Sequence, residues 1–422
     1  MASQNKEKSK KTPANKNEAS KALKNAKIIN INEDEYGTLE LIASGALGEH
    51  KNLADNDIIK QIAKTGEYKK QLMPYAFSFA PSGKENQKML KNLKAKTNTD
   101  ALKPKTIAFD LCLNGKIAGK IQASNIYNLS HQNLSIFSAK NINFTKEKSQ
   151  NNALAIAGEL SIFSSKLAKI KTQIAKTIKE RNYRKITAIM LTADPLHRLH
   201  ERLIRMTIDK ADFLIIFLVR TYNIQGRLSF DLRLECLRYF CDNYLPSGRV
   251  AIVPFENTTI FSDHINPVLE VITAKNFGAN KIVIGQNHAG IGLFYDNNQA
   301  NTLLDEVCER LGLELIVMPQ MFYCEICHTL TSTKTCPHGD HHHIKYSQAT
   351  LKELLFAGLM PPAILMRKKI SAIILDALYP NRFKSLQRIY DDLFANRGIL
   401  EKHDQRDFYE QLMRLYQTSS LN

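Results

Sequence analysis

The sequence predicts an α/β fold with a Rossmann-like parallel sheet in the middle of the chain, a mostly β segment before it and helices after it. Five apolar runs spaced by helix-length segments predict the sheet: Lys185 to Thr192, Ala211 to Val219, Arg249 to Phe255, Asn280 to Gly285 and Leu313 to Met318. Continuous apolar strands joined by helical crossovers are buried on both faces, as only a covered parallel sheet requires. An Asn114-Gly115 turn between alternating segments predicts the β part, and apolar residues recurring at three and four predict the helical end.

At 422 residues the chain exceeds what one core sustains, and 44% apolar content suffices for two or three. The first 27 residues hold eight lysines, two glutamates and almost no large apolar side chains, the composition of a disordered basic tail (1–27). Short strands are expected next, at Leu39 to Ala43, Thr106 to Leu113 and Lys116 to Ile121, within a β domain over 28–155. Leu160, Phe163, Leu167, Ile170 and Ile174 then fall at helical spacing, which predicts a connecting helix between Asn151 and Arg184. The parallel sheet and its loops occupy 156–345. Helices are expected at Leu351 to Ala357, Ile364 to Leu378, Asn381 to Ala395 and Gln405 to Tyr416, in a C-terminal region over 346–422. Leu386, Ile389, Tyr390 and Leu393 form one stripe there, and Phe408, Leu412, Leu415 and Tyr416 another. Core packing is the first reading of those stripes, with a homo-oligomer contact as the alternative.

No stretch approaches the roughly 18 to 20 apolar residues of a membrane span, and the start lacks the apolar core of a secretory signal, so a cytoplasmic protein is expected. Seven cysteines, three of them clustered, do not form a disulfide framework. The formal charge of +17, from 58 basic and 41 acidic residues, steers anions toward the surface without choosing between nucleotide and nucleic acid.

In parallel sheets, ligands sit at the strands' carboxyl ends. Thr192-Ala-Asp-Pro-Leu-His197-Arg-Leu-His200 follows the first strand, and Gly285-Gln-Asn-His288-Ala289-Gly290 follows the fourth. Histidines three apart at a helix start lie on one side, where free N–H groups and the macrodipole favour phosphate. Nucleotidyl transfer chiefly requires charge stabilisation, which imidazole donors can give. The bland alternatives are a helix cap for the pair and a satisfied buried histidine for His288.

Cys324, Cys327 and Cys336 offer three thiolates, and a fourth ligand comes from His338 or from His341 to His343. His338 is favoured, in a loop over 324–338. A closed Cys₃His set predicts structural Zn²⁺ rather than an open catalytic metal.

These residues together resemble the ATP sulfurylases (sulfate adenylyltransferases) across nearly the whole chain except its ends. Members read Gln-Thr-Arg-Asn-Pro-x-His-x-x-His, then Gly-Arg-Asp-His-Ala-Gly, then CxxC and Lys-Thr-Cys-Pro-His. This chain has Leu191 to His200, Gly285 to Gly290 and Lys334 to His338 in that order, with Asp231-Leu-Arg233 and Met366-Arg367 as weaker agreements. Leu39-Glu-Leu-Ile-Ala-Ser-Gly-Ala46 is similar to a stretch of the family's PUA-like N-terminal domain.

The resemblance implies a nucleotidyltransferase sheet binding ATP with Mg²⁺, in which sulfate oxygen attacks the α-phosphate and pyrophosphate leaves. On that basis His197 and His200 contact the phosphates and Thr192 contacts the reacting phosphate. Gly285, His288, Ala289 and Gly290 approach the nucleotide, Gly290 allowing close backbone contact. Departures fall on the residues understood to hold sulfate, since Leu191, Ala193 and Gln286 stand where the family has Gln, Arg and Arg. Asp194 replaces an Asn and adds negative charge near a polyphosphate. Thr259 to Ile265 aligns with an arginine-bearing segment, and Ser347 to Thr350 with Ser-Gly-Thr-Lys. Two alternatives stay open: a divergent nucleotidyltransferase with another acceptor, and a catalytically silent nucleotide or RNA binder. The strand and helix region carries no aromatic and basic platform for single-stranded nucleic acid, which counts against the second.

Overall fold

A computed structural model describes residues 27–48, 50–73, 75–97, 106–129, 140–143, 153–221, 226–264, 267–285, 303–394 and 401–416. Residues 1–26, expected as a basic tail, and Gln286, His288, Ala289 and Gly290 lie outside them.

The first unit contains β1 (Lys27–Ile31), α1 (Glu33–Ala43), α2 (Asn56–Thr65), the short strands β2 (Glu67–Tyr68), β3 (Gln71–Leu72) and β4 (Tyr75–Ser78), α3 (Lys84–Thr97), β5 (Ile107–Leu113), β6 (Lys116–Asn128), β7 (Lys140–Asn143) and β8 (Leu154–Ile162). Its main sheet has the order β1-β5-β6-β8. Asn114 and Gly115 both have positive φ, 49° and 77°, as the tight hairpin between β5 and β6 requires. The sheet continues to Ile162, past residue 155. Leu160 therefore lies in a strand and Phe163 just after it, where helical spacing had suggested a helix.

The stretch Leu39 to Ala43 is helical, not a strand. Asn32 and Glu35 cap α1 reciprocally: the Glu35 N–H donates to Asn32 Oδ1 at 2.9 Å, and the Asn32 N–H donates to Glu35 Oε2 at 2.9 Å. Its apolar residues look strand-like because the helix is buried between two units. Leu39, Leu41 and Ile42 are all buried, and so are Thr38 and Gly37.

The connecting helix α4 (Lys166–Glu180) leads into β9 (Ile186–Leu191), α5 (Arg198–Ile208), β10 (Phe213–Val219), α6 (Phe230–Tyr244), β11 (Val250–Phe255), α7 (Pro267–Asn276), β12 (Lys281–Gly285), α8 (Leu303–Leu311) and β13 (Glu314–Met318). The strands pair in parallel in the order β11-β10-β9-β12-β13. Chain direction across the sheet reverses between β9 and β12, the switch point where such sheets open a crevice.

Alternate residues of β9 and β10 serve two cores. Ala188, Met190, Ile215, Phe217 and Val219 join a core shared with α7, α8 and the first unit. Ile189, Leu191, Leu214, Ile216 and Leu218 face a second core built with α5, α6 and the C-terminal helices.

The cysteine-bearing segment forms a small sheet, β15-β14-β16, from β14 (Met321–Cys324), β15 (Thr329–Ser332) and β16 (His343–Ile344). Helices α9 (Gln348–Phe356), α10 (Lys368–Leu378), α11 (Leu386–Leu393) and α12 (Gln405–Tyr416) follow. Phe408, Tyr409 and Met413 form the buried side of α12, whereas Leu415 and Leu393 are exposed, so the expected stripes are displaced toward one side. No helix among the described residues is long and apolar enough to cross a membrane.

Candidate functional site

The segment between β9 and α5 sits at the switch point. It leaves β9 at Leu191, which is buried, and turns through Ala193, fully buried at φ 48°. A left-handed alanine costs about 1 kcal/mol or more and persists only when its surroundings hold it there. The Asp194–Pro195 peptide is cis.

Arg233 of α6 holds the first half of this turn. Its Nη1 donates to the Thr192 carbonyl at 2.6 Å and to the Val219 carbonyl at 3.1 Å, tying together the carboxyl ends of β9 and β10. The side chain is 2% exposed, and its Nε has no partner. Burial lowers its pKa from the usual guanidinium value.

Asp194, fully buried, holds the second half. It accepts from the Leu228 N–H at 3.0 Å, from Arg227 Nη1 at 3.3 Å and from Lys352 Nζ at 3.1 Å. The expected extra negative charge is therefore matched by two cations and not presented bare to a polyphosphate.

His197 is the N-cap residue of α5, and His200 lies one turn in. Their rings stack with centroids 3.8 Å apart, and Tyr346 lies 5.3 Å from His197. The His197 N–H donates to His200 Nδ1 at 3.3 Å, so the neutral His200 ring carries its hydrogen on Nε2. Burial pushes His200 down to about 4, and burial with the neighbouring His200 lowers His197 well below the ordinary imidazole range. Both rings are uncharged at neutral pH. His197 is buried, and its Nδ1 has no partner.

Glu201, also buried, clamps the helix start. Arg367 donates to it through Nε at 3.1 Å and Nη2 at 2.6 Å, and Arg198 through Nη1 at 3.1 Å. Arg198 also reaches the Ala363 carbonyl at 3.0 Å, and Arg367 lies 3.6 Å over the Tyr244 ring. Among the described residues around 192–201, Arg227 and Lys352 pair with Asp194, Arg198 and Arg367 pair with Glu201, and Arg233 bonds backbone carbonyls. This gathering of cations at the carboxyl end of a parallel sheet favours an anion here.

The first unit buttresses the neighbouring loop. Asp34 accepts from the Thr259 N–H at 2.7 Å, and Thr38 bonds Thr258 at 3.0 Å. Glu40 accepts from Ser165 Oγ at 2.7 Å and from the Leu167 N–H at 3.1 Å, satisfying the start of α4. The Leu39 to Ala46 stretch thus docks one unit on the other. Of the anchors, Arg227, Glu201 and Lys352 escaped sequence reasoning, because nothing in their spacing links them to the His197 turn.

The cysteine cluster converges as expected. Cys324, Cys327, Cys336 and His338 offer donor atoms all within 4.8 Å of one another. His338 Nδ1 lies 3.5, 3.2 and 3.6 Å from the sulfurs of Cys324, Cys327 and Cys336, and Cys327 and Cys336 lie 3.8 Å apart. His343 stands outside this set, its Nε2 3.5 Å from Cys336 Sγ and its Nδ1 3.1 Å from Asp340.

A five-stranded parallel sheet with paired imidazoles at its switch point is the arrangement of a Rossmann-like nucleotidyltransferase fold. The chain belongs to the ATP-sulfurylase family, whose model matches residues 165–377. A sulfate adenylyltransferase of Persephonella marina is 27% identical over 203 residues, 48% of this chain and 52% of that protein, so the match spans about half of its length. One of Psychrobacter sp. is 24% identical over 376 residues, 84% of this chain and 86% of that protein. Among solved structures, a hexameric APS kinase from Thiobacillus denitrificans superposes with a TM-score of 0.59 at 14% identity, covering 85% of this chain and 64% of that one.

Proposed function

We propose that the chain is a sulfate adenylyltransferase-type enzyme, transferring AMP from ATP to an oxyanion acceptor, with sulfate the family acceptor. The stacked His197 and His200 at the start of α5, inside a cationic turn at the switch point, carry this reading. An acceptor oxygen attacks the α-phosphorus, an O–P bond forms, and the bond from α-phosphorus to the bridging oxygen breaks to release pyrophosphate. Charge collects on the leaving oxygens. His200 Nε2–H donates to them, the positive end of the α5 dipole adds to this, and neighbouring guanidiniums supply the field. His197 packs beneath His200 and contacts phosphate after a small rearrangement. Thr192 serves the reacting phosphate, and Gly285 with His288, Ala289 and Gly290 approaches the nucleotide. Mg²⁺ accompanies ATP and neutralises part of the polyphosphate charge.

The Cys₃His cluster fits Zn²⁺. Tetrahedral zinc bonds of about 2.3 Å to sulfur and about 2.0 Å to nitrogen imply edges of roughly 3.8 Å between sulfurs and 3.6 Å between sulfur and nitrogen. The observed 3.8 Å and 3.2 to 3.6 Å match that donor set. With four protein ligands the metal would staple the loop and would offer no open position to the reaction. The first unit is assigned as the PUA-like domain, and the helices after residue 346 as a C-terminal region.

A changed acceptor is the second reading, favoured by the buried apolar Leu191 and Ala193. Pyrophosphate release from ATP, assayed with sulfate, molybdate and a panel of phosphorylated acceptors, separates the two. Sulfate-dependent release supports the first, and release only with another acceptor supports the second. Release with none, together with unchanged ATP affinity on His197→Ala, removes both.

A further inference from the structure

We propose that the turn over 362–365 is a latch on the start of α5, held shut by Tyr346, which a polyphosphate must lift to reach His197. The proposal rests on the adenylyltransferase reading only in bringing a polyphosphate to α5, and it specifies how access to that site is controlled.

Three successive carbonyls carry the argument. The Arg198 N–H, the first of α5, donates to the Leu365 carbonyl at 2.9 Å. Arg198 Nε donates to the Ala363 carbonyl at 3.0 Å, and the Tyr346 hydroxyl donates to the Ile364 carbonyl at 2.7 Å. The turn also closes on itself, its Pro362 carbonyl accepting from the Leu365 N–H at 2.9 Å and the Met366 N–H at 3.0 Å. A carbonyl over a helix start would by itself be an ordinary cap. Two further observations point beyond that role. First, a helix start offers its N–H donors to anions, and a charged oxygen bonds such donors roughly twice as strongly as a neutral one. The Leu365 carbonyl therefore holds a place that a phosphate oxygen would take from it. Second, His197 is 2% exposed and its Nδ1 has no partner among the described residues, while the Tyr346 ring lies 5.3 Å from its own. A buried polar atom without a partner marks an arrangement completed by another state. One side chain, Tyr346, thus joins the imidazole pair to the turn.

The turn is also built to lift. Pro361 and Met366 are buried on either side of it, whereas Pro362 and Ile364 between them are exposed. Hydrogen bonds rather than apolar burial hold 362–365 down, and segments held in that way open at lower cost than a core. The bonds from Arg367 to Glu201 lie beyond the turn, so lifting it leaves the clamp on α5 in place. A closed latch lowers apparent affinity by the fraction of molecules that are open. Weakening the latch should therefore tighten phosphate binding, the opposite of what loss of a structural contact does.

The test uses the full chain and inorganic tripolyphosphate, titrated by calorimetry. Tyr346→Phe keeps the ring beside His197 and removes the bond to the Ile364 carbonyl. It should bind tripolyphosphate about two- to tenfold more tightly than the parent, the gain expected when the closed state loses one neutral hydrogen bond. Hydrogen exchange at the Leu365 and Met366 amides of the parent should speed up on saturation with tripolyphosphate. Equal or weaker binding by the variant, or exchange that stays level or slows, overturns the latch. So does failure of tripolyphosphate to bind either protein, because nothing then lifts the turn. If Tyr346→Phe does not fold, exchange in the parent decides alone. Pyrophosphate release from ATP separates the two ideas. Release by the parent without tighter binding by Tyr346→Phe removes the latch alone. Tighter binding by the variant without release for any acceptor removes the adenylyltransferase reading alone.

Discussion

Replacing Glu201 by glutamine should destabilise the chain by about 2 to 4 kcal/mol and loosen the start of α5. Glu201 is 4% exposed and accepts three charge-assisted hydrogen bonds, two from the fork of Arg367 and one from Arg198. Glutamine keeps the shape but removes the charge, leaving two guanidiniums facing a neutral amide. Breaking one side of a buried pair typically costs about 3 to 5 kcal/mol. The lower range applies because the Arg198 and Arg367 side chains keep 29% and 18% exposure and recover some hydration. At about 2 to 4 °C per kcal/mol for a domain of this size, Tm should fall by roughly 5 to 15 °C. Urea unfolding read by circular dichroism gives the free energy, and a double-mutant cycle of Glu201→Gln with Arg367→Met gives the coupling. ATP affinity should fall as well, because Glu201 fixes the turn that carries His197 and His200. A loss under about 0.5 kcal/mol, or additive behaviour in the cycle, would refute the clamp.

Acid should expose the neutral histidine pair. The His200 pKa is about 4 in the folded chain and near 6.5 unfolded, so the unfolded state binds more protons between those values, and stability falls as pH drops through that window. His200→Asn should flatten that slope by up to about 3 kcal/mol, and parallel urea midpoints for parent and variant at pH 7 and 4.5 would contradict it. Zinc content should be one per chain; Cys336→Ser should abolish it and lower Tm, and a metal-free parent with unchanged Tm would contradict the staple. Gly37→Ala should cost about 1 to 3 kcal/mol by overpacking, since its Cβ would lie 2.7 to 2.9 Å from Asn257 and Thr258. Unaltered urea midpoints would mean that α1 does not press on that loop.

The parallel sheet was legible because its strands are buried on both faces and read as unbroken apolar runs, and the structure places all five within a residue or two of the expected bounds. The hairpin at Asn114-Gly115 was legible for a local reason, positive φ at both positions. The α1 helix was misread because tertiary burial overrides periodicity there: a helix pressed between two units is apolar on several sides, and only its Asn32–Glu35 cap betrays it. The same limit applies to β8, whose Leu160 lies at helical spacing from residues of α4 only because strand and helix run on almost without a break.

Site residues divide along the same line. His197 and His200, and likewise Cys324, Cys327, Cys336 and His338, are neighbours in sequence, so spacing brings them together. Asp194, Arg227 and Lys352 meet across 158 residues of chain, and no spacing rule joins them. That difference bears on how Asp194 should be understood. Taken alone, an added carboxylate beside a polyphosphate repels it. With Arg227 and Lys352 attached, it anchors two cations beside the end of β9 and is not bare. Asp194→Ala should therefore act in two stages: freed cations first favour anion binding, and the unpinned Leu228 N–H then loosens the turn. Sulfate affinity above the parent's at 10 °C, falling below it near the variant's lowered Tm, is the expected pattern. A uniform loss at every temperature would show that the carboxylate serves the fold alone.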